Sequence, residues 1–239
     1  MIRIAFYSTL IGVLLADISG DIIWSRGAIA MFGVPIVLLV LDRLLVFVLA
    51  TALGRAAAEE PQRMVPIVQL FCSAVLLGPV NSIVAYVAST GSFAWPPLWA
   101  GVSLMFFQAG CYYASDLARI HPDVEEDMIT LPRFFLANAP KSSWVFWAQL
   151  ECIADAYIVL LITVICGVLP PAALFTLAII FPIWDYFKRC RSLMEQPFAE
   201  WDDIALIELH HKIDWLCSLY TMLLALGLCF DKLHYLFFA

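Results

Sequence analysis

The sequence predicts an all-α integral membrane protein, one domain over residues 1–239 built as a bundle of seven transmembrane helices. Three observations predict it. Hydrophobic residues make up 63% of the chain and charged residues 14%, where a water-soluble domain is about 45–50% apolar. Apolar runs recur at about 4–24, 28–54, 64–89, 98–118, 144–167, 172–188 and 213–238, most of them near the ~20 residues a crossing needs. Seven tryptophans (Trp24, Trp95, Trp99, Trp144, Trp147, Trp184, Trp215) fall near the ends of those runs, where amphipathic rings favour the headgroup zone. Trp201 is the exception, in the last inner loop.

The first run carries only Arg3 ahead of it and has Asp17 where a small-residue cleavage site would stand. It therefore reads as a retained helix rather than a removed signal. The second run, 28–54, holds sixteen Leu, Ile, Val and Phe residues around an adjacent Asp42 and Arg43. Each buried charge costs roughly 2.5–3.5 kcal/mol and each large aliphatic returns about 0.3–0.6. The run can insert, provided its charges avoid lipid. In the third run Pro79 frees a carbonyl that Asn81 or Ser82 can satisfy. Gln108 falls near the middle of the fourth.

Residues 119–143 form a longer inner loop, in which 128–136 dips toward the headgroups and is interrupted at Pro132. The fifth run places Glu151 and Asp155 four apart, on one helix face. The sixth is short unless it extends to Lys188, whose amine can snorkel to the surface. Between it and the seventh, residues 197–211 bring Phe198, Trp201, Ile204 and Ala205 to one side at helical spacing. That pattern predicts a short amphipathic helix on the inner surface. A three-plus-one-plus-three repeat is hinted at by Asp17-x-x-x-Asp21 against Glu151-x-x-x-Asp155, but the remaining spacings do not match.

Charge sets the orientation. With seven spans, ten Lys and Arg residues fall on one side (Arg3, Arg55, Arg63, Arg119, Arg133, Lys141, Lys188, Arg189, Arg191, Lys212) and only Arg26 and Lys232 on the other. This places the N-terminus inside and the C-terminus outside. The net charge of −7 argues against nucleic acid as a partner and against a polybasic grip on anionic lipid. Seven scattered cysteines without a C-x-x-C read as soft packing residues.

The chemistry available is ionic. Counting ~1.5 Å per residue, Arg43 and Asp155 come to a similar depth, roughly 16 Å from the inner boundary. An Arg43–Asp155 pair is therefore the expected buried ion pair, with Asp17 as the second choice of partner. Asp42 and Glu151 are then spare acids, and desolvated acids that exchange protons are what a proton or cation path requires. The plainer alternative is that the pair only locks two helices. Asn81 and Gln108 form a possible polar site, with kink packing as its plainer alternative.

Enzyme signatures are scarce: there is no H-E-x-x-H, G-x-S-x-G or P-loop, and a single Glu208-x-x-His211 where a di-iron bundle needs two. His210, His211 and Asp203 are weak candidates for a surface metal. No cofactor is expected; bound membrane lipids and other membrane subunits are. The leading expectation is a non-enzymatic subunit of an ion- or proton-translocating or energy-coupling assembly, in a bacterial or organellar inner membrane. A stand-alone cation- or proton-coupled carrier or channel is the first alternative. A lipid-modifying enzyme at the inner leaflet is the second.

Overall fold

A chain this apolar satisfies its backbone groups most simply within helices. The computed structural model describes residues 2–56, 72–121, 130–138 and 143–238, and among these residues the regular structure is helical with no strand. The helices are α1 (Ile2–Ile18), α2 (Trp24–Ala56), α3 (Cys72–Thr90), α4 (Pro96–Leu117), α5 (Leu131–Asn138), α6 (Ser143–Ile165), α7 (Ile180–Met194) and α8 (Asp203–Phe238). A 3-10 segment, Pro171–Ile179, leads into α7.

Four helices are long and apolar enough to cross a membrane, at Trp24–Leu49, Cys72–Thr90, Trp144–Ile165 and Asp203–Asp231. The other three predicted spans are also helical, and each falls short for its own reason. Helix α1 is apolar but short. The sixth run begins as 3-10 helix, although α7 then carries it past Lys188 to Met194. Helix α4 is long enough but is diluted by Gly101, Ser103, Gln108 and Gly110, all of them buried. The α4 composition reflects its place at the centre of the bundle, facing protein rather than lipid. It packs on α1, α3, α5, α6 and α8.

Around α4 the chain forms two apolar clusters. A smaller one joins α1, α2 and α3 through Ala5, Ala30, Val34, Leu38, Leu77 and Ala85. The larger runs through α1, α4, α6, α7 and α8 and includes Phe107, Leu160, Tyr186 and Tyr220. Only 22% of the apolar stretch of α2 and 28% of that of α6 is buried, against 56% for α3 and 50% for α8. So α2 and α6 are peripheral staves and α3 and α8 are inner ones. The seven helix-end tryptophans are all exposed, whereas Trp201 is buried.

Two local expectations need correction. The amphipathic segment 197–211 is not a separate surface helix. Phe198–Glu200 is one 3-10 turn, and α8 then runs without a break from Asp203 through the seventh predicted span. No proline or glycine stands between Asp203 and Leu226, so nothing stops helix propagation once Asp202 has capped it through its Oδ1 and the Ile204 N–H at 3.1 Å. Of its apolar side, Trp201 turns into the protein's own interior, edge-on to Phe146 at 5.0 Å, whereas Ile204 stays exposed. Likewise Pro132 does not interrupt a segment; it sits in the first turn of α5, where a missing N–H is tolerated. Residues 64–71 of the third run, 128–129 of the loop, and Arg63 and Lys141 lie outside the described residues.

Candidate functional site

The α2–α3 contact holds a buried carboxylate. Asp42 is fully buried, and Ser73 on α3 donates its hydroxyl to Asp42 Oδ1 at 2.6 Å. The other oxygen, Oδ2, is 3.6 Å from Arg43 Nη2, and the Arg43 side chain is 55% exposed. Successive residues on a helix point about 100° apart, so Asp42 faces inward while Arg43 leaves from the rim. Tyr112 on α4 lies within electrostatic range of both.

The structure does not bring Arg43 to Asp155. Helix α2 packs on α1 and α3, whereas α6 packs on α4, α5, α7 and the 3-10 segment. The second-choice partner is equally remote in the hairpin: Asp17 ends α1 beside the connection to α2, and Arg43 stands 19 residues beyond the start of α2. That is roughly 28 Å of helix rise. Glu151 is exposed and Asp155 half-buried; neither makes an ion pair among the described residues. The predicted charge network is thus dispersed, with its core reduced to Asp42, Arg43 and Ser73.

The polar side chains of α1, α3 and α4 do converge. Asn81 Nδ2 donates to the Ala5 carbonyl at 2.6 Å, and Thr9 Oγ1 lies 2.8 Å from both Asn81 Oδ1 and that same carbonyl. Ser82 donates to the Ser8 carbonyl at 3.1 Å, and Gln108 Nε2 reaches Ser8 Oγ at 3.5 Å. The Pro79 position is accommodated differently from expectation. Residues Leu76–Val80 widen into a π-helical turn, and the backbone N–H of Asn81, not its amide side chain, returns to the Leu76 carbonyl. The Asn81 side chain is thereby released to bind α1. Replacing Asn81 with alanine should cost about 1–2 kcal/mol, read as a lower unfolding midpoint in detergent. Threonine at position 9 should then become dispensable.

A second interior contact was not anticipated. Ser103 on α4 lies 2.8 Å from the Ala156 carbonyl of α6 and 2.5 Å from the Tyr220 hydroxyl of α8. Phe107 stacks on the Tyr220 ring at 4.7 Å, and Tyr157 donates to the Thr176 carbonyl at 3.0 Å. These groups tie three helices and the 3-10 segment at one level. No local spacing announces such a contact, because its members are far apart in sequence.

At the start of α8, Asp203 accepts from His121 rather than joining His210 and His211: His121 Nδ1 is 2.6 Å from Asp203 Oδ1. The His210 and His211 rings are neighbours at 5.6 Å, but no group of three metal-ligating side chains occurs among the described residues. Asp185 bonds Lys212 and lies 3.7 Å from Arg189, which reaches Glu208 at 3.7 Å. The i,i+4 spacings of Asp185 with Arg189 and of Glu208 with Lys212 are the signal that could have disclosed this network. Comparison with protein-family models, curated proteins and solved structures gave no match.

Proposed function

We propose that the chain is a non-enzymatic, seven-pass subunit of an ion- or proton-translocating or energy-coupling assembly in an inner membrane. The observation that carries this reading is the placement of the ionisable side chains. Asp42 is sealed behind Ser73, whereas Arg43 and Glu151 face outward from α2 and α6, the two peripheral staves. A self-contained carrier needs its acids along one internal path. Here the interior polar groups tie helices together, and charge is presented on surfaces that meet other membrane components. The charge count supports an inside N-terminus, and the inner-end ion pairs of His121, Arg189 and Lys212 fall on that same side.

Size in mild detergent tests the reading. The expected result is a particle well above one 26.7 kDa chain, with other membrane polypeptides retained in defined proportion. A lone chain that drives proton or cation flux in sealed vesicles would overturn it in favour of the carrier. A lone chain without flux would overturn it as well.

A further inference from the structure

The geometry points to a lipid-headgroup site in the groove between α6 and α7, one that takes the ammonium of a zwitterionic phospholipid. The groove encloses about 520 Å³, within the range of small-molecule sites. It is made by two helical stripes, Trp147, Glu151 and Tyr157 on α6 against Ile183, Trp184 and Phe187 on α7. The aromatic rings form a connected wall: Trp184 stacks on Phe187 at 5.4 Å, and Phe187 meets Trp147 edge-on at 5.9 Å. Glu151 is the acidic residue among the groove's lining residues, is exposed, and makes no ion pair among the described residues.

Charge complementarity identifies the occupant. A carboxylate on the membrane face of an apolar groove is costly unless a cation comes to it. A neutral acyl chain or an apolar helix fills the volume but leaves that cost standing. An anionic headgroup adds repulsion. An ammonium meets Glu151 by direct attraction and meets the faces of Trp147 and Trp184 by cation–π attraction, which favours tryptophan above other rings. Lys188 stands one turn beyond Trp184 on the same side of α7 and is exposed. Tyr157 and Ile183 continue the groove deeper for an acyl chain. The groove keeps this chemistry whether or not the chain works within a larger assembly.

The test uses the full chain in nanodiscs of equal phosphatidylethanolamine, phosphatidylcholine and phosphatidylglycerol with identical acyl chains. Lipids that stay bound on release are counted by native mass spectrometry. The two ammonium lipids should be retained about tenfold over phosphatidylglycerol. Glu151→Gln should bring the three lipids level, and Trp184→Leu should lower the preference several-fold while leaving the number of bound lipids unchanged. Both positions are exposed, so neither change disturbs the core. Equal retention by the unaltered protein, an undiminished preference in Glu151→Gln, or a second copy of the chain seated in the groove would each overturn the assignment.

Discussion

Replacing Gly227 with alanine should destabilise the protein by about 3 kcal/mol or more, among the largest effects of any single methyl group in the chain. Gly227 lies on the buried side of α8, where the 3-10 segment crosses it. A Cβ there would stand 2.1 Å from the Ala172 carbonyl oxygen and 2.7 Å from its carbon. Those atoms are backbone, so no rotamer change relieves the clash; the segment and the helix must separate. Separation would also loosen the Tyr157 bond to the Thr176 carbonyl and the ring contact of Phe175 with Phe230 at 5.4 Å. Gly33 supplies the control. It lies on exposed α2, and a Cβ there meets nothing within 4 Å. Gly33→Ala should be neutral or stabilising, since glycine costs a helix about 0.5–1 kcal/mol relative to alanine. Equilibrium unfolding in mixed micelles separates the two, and equal effects at both positions would remove the close-approach account.

The same comparison shows what a linear pattern can and cannot convey. Each apolar run predicted from composition falls mainly on helix where it is described, because lipid or a dry core asks the same thing of most residues in it, but the first run stops being helical at Ile18, where Gly20 takes a left-handed turn, and not at residue 24. The continuation of α8 through the amphipathic segment was also readable, since no breaker interrupts 203–226; the charges of Glu208 and Lys212 obscured it. An expected depth alone could not pair Arg43 with Asp155. Residues at one level of a bundle still differ in azimuth, and α6 stands across α4 from the α2 side. Azimuth depends on which helix faces are most apolar and on which small residues admit a neighbour. Gly12, whose Cβ would lie 2.3 Å from the Ser82 carbonyl, and Gly101, whose Cβ would lie 2.4 Å from Pro79 Cα, set two such approaches. Glycines of that kind are legible only once the neighbour is known. The groove between α6 and α7 is half legible: Glu151 reads from the sequence as a spare acid, while its aromatic wall comes from a helix that the sequence makes look too short.

Ser73→Ala should cost about 2–3 kcal/mol, more than a hydroxyl normally contributes, because the group it leaves behind is a buried carboxylate. Asp42 has no water-facing surface, and Ser73 is its one hydrogen-bond donor among the described residues. Arg43, at 3.6 Å and half in the open, offers attraction without a short bond to Oδ2. Asp42→Asn should cost less than Ser73→Ala, since an amide oxygen still accepts from the serine and the uncompensated charge is gone. In that Asn background, removing the Ser73 hydroxyl should cost only about 1 kcal/mol, giving a coupling energy of roughly 1–2 kcal/mol in the double-mutant cycle. The cycle also bears on function. If Asp42 serves only to join α2 to α3, Asp42→Asn leaves the proposed assembly and its activity intact. If Asp42 exchanges protons, Asp42→Asn assembles normally and is inactive, and the stability cycle is unchanged. Additive single effects would mean that Ser73 and Asp42 do not meet, and the buried carboxylate would need another explanation.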